Sequence, residues 1–343
     1  MAETPRQPRS PAPLPYASLS VIGAGAWGTA LASVAAAGGR PVLLWAREPD
    51  VVASIGSSGI NQRFLPGIAL HKGVEATSDL AKAASAEAII LAAPAQHLRA
   101  SLKDLRPLLK AGTPIVLAAK GLETGTGKLV TEILQEGAPE AEIAILSGPS
   151  FAIDAARGLP TLVAVAAQGD IALRLQATLG GMPSFRPYAT DDVTGVALGG
   201  AGKNVYAIAC GMVEGAKMGE SARAGLLARG FAELMRLGTA LGARGETLMG
   251  LSGLGDLVLT ATSMSSRNFA FGAALGSGKS PAEMLSPDKP LAEGAYTAPA
   301  LVARGKAHGI EMPVAEAVAD VLSGKLDIRA AGERLLSRPL KTE

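Results

Sequence analysis

Cysteine, histidine and aromatic side chains are scarce in this chain of 343 residues, which has one Cys, three His and 3% aromatics. Cys210 has no partner for an internal disulfide, and its apolar helical setting marks an inert small hydrophobe suited to a reducing cytoplasm. His71, His97 and His308 lie far apart, so no zinc site is expected and no metal is assigned. Lys and Arg number 32 against 30 Asp and Glu, and the resulting net charge of +2 offers no broad basic field. With so few stacking platforms as well, nucleic acid is not an expected partner. Long apolar runs are missing too, since residues 88–93 stop at Pro94, far short of the roughly 20 residues that a membrane span needs. A soluble, cytoplasmic protein with no membrane span is therefore expected. Residues 1–15, rich in Pro and Arg, lack the apolar centre of a secretory signal, and their prolines forbid the amphipathic helix of a mitochondrial presequence. A disordered tail over 1–17 follows.

What the chain does have is alternation. Short β-rich runs at 19–22, 42–45, 88–91, 115–118, 143–146 and 162–165 are separated by Ala- and Leu-rich helical stretches, the pattern of a parallel sheet covered by helices. Gly38 and Gly39 end the first helix, and Pro41 keeps it from resuming. Beyond Thr190 strand signals nearly vanish and helical spacing runs to the end, with the turn residues of a surface loop at 277–290. The fold class expected is α/β, an N-terminal Rossmann-type doubly wound sheet at 18–192 followed by an all-α C-terminal domain at 193–343.

Gly23, Gly25 and Gly28 form GxGxxG directly after the first strand and at the start of a helix, the context that gives the motif weight as a dinucleotide site. The first glycine permits the turn, the second lets a pyrophosphate approach, and the third lets helix and strand pack. Ala26 and Trp27 lie on the same loop. Where an NAD-specific site carries Asp or Glu, this chain has Arg47 just past the second strand, and a guanidinium suits a 2′-phosphate. NADPH is favoured over NADH, with dual use left open.

Residues 199–211 read GGAGKNVYAIACG, a helical run with one cation, Lys203, on a face otherwise made of Gly199, Gly200, Ala207 and Cys210, while Val205, Ile208 and Met212 form the opposite stripe. Each helical glycine costs about 1 kcal/mol relative to alanine, so something must approach this backbone closely. Two readings stay open: a functional ammonium, or a lysine snorkelling from a packed helix. Lys120, at the end of a strand where open α/β sheets bind ligands, is a ligand group or a solvated lysine. Asp256 is a counter-ion or a helix cap. Glu293 is a hydrogen-bond acceptor or a solvated loop residue.

Taken together, VIGAGAWGTALA (21–32), NQRFLPG (61–67), KGLE (120–123), SGPSFA (147–152), GGAGKNVYAIACG, LSGLGDLVLT (251–260) and SRN (266–268) resemble the bacterial NAD(P)-dependent glycerol-3-phosphate dehydrogenases. The resemblance spans nearly all of the chain after residue 17. It implies reduction of dihydroxyacetone phosphate to sn-glycerol 3-phosphate for phospholipid synthesis, and it suggests a homodimer. By the same resemblance Lys203 is the proton donor and acceptor; Lys120, Gly148, Ser150, Asp256, Ser266, Arg267 and Asn268 join it at the substrate. Cofactor contacts fall on Gly23, Gly25, Ala26, Trp27, Gly28, Arg47, Lys120, Ala152, Arg267, Leu291 and Glu293. Ser221, Gly225 and Ala228 depart from the family pattern, which puts local packing or subunit contacts in question but no position tied to chemistry. On that reading a developing alkoxide requires a cation that also delivers a proton, which Lys203 supplies, and a phosphate dianion requires Arg267 and helix-start amides. Two rivals remain: a reductase of another small 2-oxo or 3-hydroxy acid, and a non-catalytic dinucleotide sensor.

Overall fold

Residues 13–286, 289 and 291–340 are described by the computed structural model. Eight strands form one sheet: β1 Leu19–Ile22, β2 Val42–Trp45, β3 Val74–Thr77, β4 Ala88–Leu91, β5 Pro114–Leu117, β6 Glu142–Ser147, β7 Thr161–Ala167 and β8 Phe185–Thr190. Their order, β3-β2-β1-β4-β5-β6-β7-β8, reverses direction between β1 and β4, the crevice at which a doubly wound sheet takes its ligand. β1, β4 and β5 are buried along their whole length, as expected of strands covered on both faces. Side chains alternate between two cores: Leu19, Val21, Ala88 and Ile90 point to one, with Leu31, Val163 and Leu175, while Ile22, Ile89 and Leu91 point to the other, with Leu98, Ile133 and Val205.

The expectation of an all-parallel sheet needs correction at one pair, because β7 runs antiparallel to β6. The connection carries only the short helix Ala152–Ala156, and the chain turns back instead of crossing over. β3 and β8 had no clear signal in the sequence. Both are edge strands: β3 carries Glu75 outward, and β8 includes Pro187, which a sheet tolerates at its edge.

From Val193 the chain is helical. Its axis is the central helix Val193–Gly215, started by Asp192, whose side chain accepts from the Gly195 amide at 2.8 Å. No run of spanning length was expected from the sequence, yet this helix is long and apolar enough by length and composition; alanine and scattered valine, leucine and isoleucine raise its hydropathy although no unbroken apolar run stands out. Residues 195–213 of it are buried within the protein, and only its two ends reach the surface. The two-faced reading is corrected accordingly: Val205, Ile208 and Met212 are buried, and so are Ala207 and Cys210 on the other side. Protein is what approaches the glycines: the end of β6, through Ser147, at Gly200, and a neighbouring helix at Gly211. A Cβ on Gly211 would stand 2.1 Å from the Phe269 carbonyl oxygen, and one on Gly272 would stand 2.1 Å from that of Ile208. The helix Arg267–Gly276 thus lies backbone against backbone on the central helix.

Residues 1–12 of the anticipated tail lie outside the described residues. Residues 13–17 depart from the expectation of disorder. Tyr16 is buried, its amide donates to Thr178 Oγ1 at 2.9 Å, and the Arg174 guanidinium lies 3.9 Å from its ring centroid. In the anticipated loop 277–290, Pro281–Met284 form a short helix, and residues 287, 288 and 290 lie outside the described residues.

Gly211→Ala should therefore destabilise the protein by about 2 kcal/mol through overpacking. Gly225→Ala, on an exposed stretch of helix with nothing near its Cβ position, should stabilise by about 0.5–1 kcal/mol. Denaturant unfolding of the two variants side by side checks both signs.

Candidate active site

The glycine loop after β1 divides its tasks as the motif requires. Gly23 adopts φ +112°, and Gly28 admits no Cβ because one would fall 1.9 Å from the Gly23 carbonyl oxygen. Gly25 faces open space, with nothing within 4 Å of its Cβ position. Behind it the helix Ala26–Ala37 begins with no side-chain cap and no acidic residue in its first turn, which leaves its amides available to an anion. Buried Asn61 fixes the loop: its Nδ2 donates to the Ala24 carbonyl at 2.8 Å and to Thr29 Oγ1 at 2.9 Å. Trp27 Nε1 is buried without a hydrogen-bond partner, a donor that a bound dinucleotide would satisfy. Ala26, Trp27 and Ala152 pack against one core. Arg47, past the end of β2, is exposed and makes no ion pair among the described residues. These residues fit a dinucleotide phosphate chain.

At the junction of sheet and helices, two lysines share one carboxylate. Lys203 Nζ lies 2.6 Å from Asp256 Oδ1 and 2.7 Å from Thr260 Oγ1, and Lys120 Nζ lies 2.7 Å from Asp256 Oδ2 and 3.1 Å from the Gly148 carbonyl oxygen. Asp256 is fully buried, and Lys203 is 6% exposed. Four elements supply these five groups: Lys120 follows β5, Gly148 follows β6, Lys203 stands midway along the central helix, and Asp256 and Thr260 lie one turn apart on the helix Asp256–Ala261. Gly148 sits at φ +153°, and its Cβ would stand 2.8 Å from Val163 Cα, so β7 demands a glycine there. Burial pulls the Lys203 ammonium down to about 8; Asp256 pulls it up, and Lys120 adds to the drop. A site with two ammoniums and one carboxylate keeps an excess positive charge for an anionic ligand.

A second set of groups adjoins the first. Ser266 is buried and caps the helix Arg267–Gly276, accepting from the Phe269 amide at 3.2 Å. Arg267 is exposed at the first position of that helix and has no ion-pair partner among the described residues. Ser150 donates to the Gly148 carbonyl at 3.0 Å. Asn268 is occupied inside the protein at both ends of its amide: Nδ2 donates to Asn204 Oδ1 at 2.9 Å, and Oδ1 accepts from the Gly294 amide at 2.9 Å. Glu293, at the start of the helix Glu293–Ala307, accepts from the Ala95 amide at 3.4 Å. Burial raises its carboxyl pKa against the opposing pull of Arg267, the Ala95 amide, Lys120 and Lys203. A cavity of about 170 Å³ beside it is lined by Leu291, Pro94, Gln96, His97 and Tyr296. The structure thus gathers Lys120, Gly148, Lys203 and Asp256 into one cluster with Asn268 and Glu293 tied to its flank, and it leaves Arg47 apart at the end of β2.

Thr260, Asn204 and Asn61 were not singled out by the sequence reading. Thr260 stands four residues after Asp256 on a helix, so helical spacing from the carboxylate was the available signal for it, and Asn204 directly follows Lys203, so chain adjacency was the signal for that one. Among the described residues no group of His, Cys, Asp and Glu is arranged to hold a metal.

A Rossmann-type sheet with an open glycine loop, joined to a helical domain that buries a carboxylate-held lysine, defines a nicotinamide-dependent oxidoreductase. The chain belongs to the NAD-dependent glycerol-3-phosphate dehydrogenase family, whose N-terminal model matches residues 18–172 and whose C-terminal model matches residues 192–333. Glycerol-3-phosphate dehydrogenase (NAD(P)+) of Parvibaculum lavamentivorans is 54% identical over 330 residues, covering 96% of this chain and 99% of the relative. The enzyme of the same name from Bradyrhizobium sp. strain BTAi1 is 55% identical over 328 residues, 96% and 99% of the two chains. A crystal structure of glycerol-3-phosphate dehydrogenase from Coxiella burnetii superposes with a TM-score of 0.88 at 38% identity, covering 95% of this chain and all of that one.

Lys203 should titrate near pH 8, and Asp256→Asn should move it lower because the attraction that holds the proton is gone. NMR of the lysine Cε resonances against pH reads both values, and an upward move would contradict this picture of the cluster.

Proposed function

We propose that the protein reduces dihydroxyacetone phosphate to sn-glycerol 3-phosphate, supplying glycerophospholipid synthesis, with Lys203 as the proton donor. The observation that carries this reading is the buried Asp256 bridge between Lys203 and Lys120, set where the sheet meets the helical domain in a chain of this family. Bound NADPH or NADH supplies the hydride. Lys203 then meets the charge forming on the ketone oxygen and delivers its proton, while Asp256 and Thr260 hold the ammonium in one orientation. Lys120 contributes the second positive charge. Arg267, unpaired at a helix start, takes the substrate phosphate together with the first-turn amides, and Gly148, Ser150 and Ser266 shape the remaining wall. The loop Gly23–Gly28, through Gly25, Ala26 and Trp27, would hold the cofactor together with Ala152, Leu291 and Glu293, and Arg47 would supply the charge for a 2′-phosphate. A cytoplasmic location and a homodimer belong to the same reading and rest on the family alone. The excess positive charge beside an unpaired Arg267 favours a phosphorylated substrate over a simple 2-oxo acid.

NADPH oxidation by the triose phosphate, followed at the reduced nicotinamide band, should be rapid in the wild type and about 10²–10⁴-fold slower in Lys203→Ala. Reduction requires the ammonium and should decline as pH rises through about 8, whereas glycerol 3-phosphate oxidation requires the neutral amine and should rise there. No turnover in folded wild type, or an active Lys203→Ala, would refute the assignment.

Arg47→Asp should lower kcat/KM for NADPH by about tenfold or more, the scale of one lost charged hydrogen bond, with much less effect on NADH. A preference for NADPH that survives the reversal removes Arg47 from phosphate recognition.

A further inference from the structure

We propose that Arg304 and Glu132 are positioning residues: their ion pair braces the helix Glu293–Ala307 of the second domain against the stretch of the first domain that begins at Lys120, and so fixes the two halves of the cleft relative to each other. This inference rests on the dehydrogenase reading above. Arg304 Nη2 donates to Glu132 Oε1 at 2.7 Å and Nη1 donates to Oε2 at 3.0 Å, the two-bond fork that gives a guanidinium–carboxylate pair its directional strength. Nη1 also reaches the Gly127 carbonyl at 3.4 Å, whereas Nε is buried with no hydrogen-bond partner, so the demand of this mostly buried cation falls on Glu132. Glu132 is in turn held by the start of its own helix, Val130–Gly137, where Oε2 accepts from the Leu129 amide at 2.7 Å. The pair thus joins two helix termini that belong to different domains.

It is the last of a series of contacts along one face of the helix. Residues 293, 297, 300 and 304 form a single helical stripe, and they meet residues 95, 121, 127 and 132 of the first domain in the same order. Glu293 accepts from the Ala95 amide at 3.4 Å, a Cβ on Gly121 would stand 3.2 Å from Thr297 Oγ1, one on Gly127 would stand 3.6 Å from the Ala300 carbonyl oxygen, and Arg304 closes the series. The neighbouring stripe is buried against the second domain: a Cβ on Gly294 would stand 2.9 Å from Ile208 Cδ1, and one on Gly305 would stand 2.4 Å from Met312 Cγ. One helix is thereby bound to both domains. The stretch it touches in the first domain is the one that bears Lys120. From Lys120 the chain folds back on itself, with Leu122 bridged to Leu129 and the Glu123 amide donating to the Lys128 carbonyl at 2.9 Å, and it runs directly into the helix that carries Glu132. Only the Arg304 contact is a charged fork, since the others are a long hydrogen bond and van der Waals approaches, so the fork fixes the register in which the whole face docks. Without it the domains can shift at the cleft, where a misplacement of about 1 Å costs on the order of a hundredfold in rate.

The test compares Arg304→Gln and Glu132→Gln, each in the full chain, with the wild type well below their melting temperatures. Glu132→Gln is equal in size and keeps an acceptor for the Leu129 amide, so it decides the matter where the arginine variant does not fold. The readouts are kcat for triose phosphate reduction and the primary isotope effect with NADPH deuterated at the transferred hydrogen. In both variants kcat should fall about tenfold or more with an isotope effect at least as large as that of the wild type, because the step made slower is hydride transfer itself. The double variant should be no slower than the slower single variant. A pair that only stabilises the fold would lower the melting temperature and leave kcat and the isotope effect unchanged, and that result overturns the proposal. So does a slower enzyme with a smaller isotope effect, which places the fault in cofactor exchange, and so do losses that multiply in the double variant. An inactive wild type overturns both this proposal and the reading beneath it, while an active wild type whose variants match it overturns the brace alone.

Discussion

Asp256 has one negative charge, no exposure to water and two ammoniums against it, at 2.6 Å and 2.7 Å. Removing ions from water costs several kcal/mol each, and such a cost is offset only when geometry and remaining hydrogen bonds are both good. Here both oxygens are engaged, Thr260 Oγ1 lies within reach of Lys203, and the Gly148 carbonyl accepts a further hydrogen bond from Lys120. One carboxylate cannot neutralise two cations, and the imbalance gives the arrangement its use. The surplus charge awaits an anion, and the strain of burial shows in a Lys203 ammonium that has dropped to about 8. A lysine in that range gives and takes protons near neutral pH, which an exposed lysine does not.

Lys203 can sit so deep because of the helix that bears it. Bulky residues on all sides of Val193–Gly215 would hold the surrounding helices too far away for Asp256 and Asn268 to meet it. Glycine at 211, answered by glycine at 272, brings two backbones into direct contact. The energy lost in helix propensity, about 1 kcal/mol for each glycine, is returned as close packing that fixes positions to a fraction of an ångström. The sheet contributes the other half of the frame, since Lys120 and Gly148 both stand at the carboxyl ends of strands.

Much of this was legible in the sequence, and the reasons differ from part to part. The glycine loop could be read because each glycine answers a backbone demand that no other residue meets, as Gly23 at φ +112° and Gly28 against the Gly23 carbonyl show. Buried strands such as β4 are continuous apolar runs and announce themselves; β3 and β8, half exposed at the edges, do not. The small residues around Lys203 were noticed as a call for close approach, but what approaches is protein, because periodicity carries no information about which partner fills a groove. Thr260 and Asn204 escaped notice since a threonine or an asparagine is ordinary by composition and gains meaning only from what lies across from it. The antiparallel turn of β7 escaped too, because strand direction is set by the length and packing of a connection and not by the residues of the strand.

Tyr16 precedes β1 and is clamped against Thr178 and Arg174, at the edge of the sheet where the strands begin. The glycine loop, Lys120 and Gly148 all stand at the opposite edge. The clamp on Tyr16 thus fastens the residues just ahead of β1 to the helix Ile171–Leu179 and leaves the ligand-facing edge of the sheet unencumbered by them.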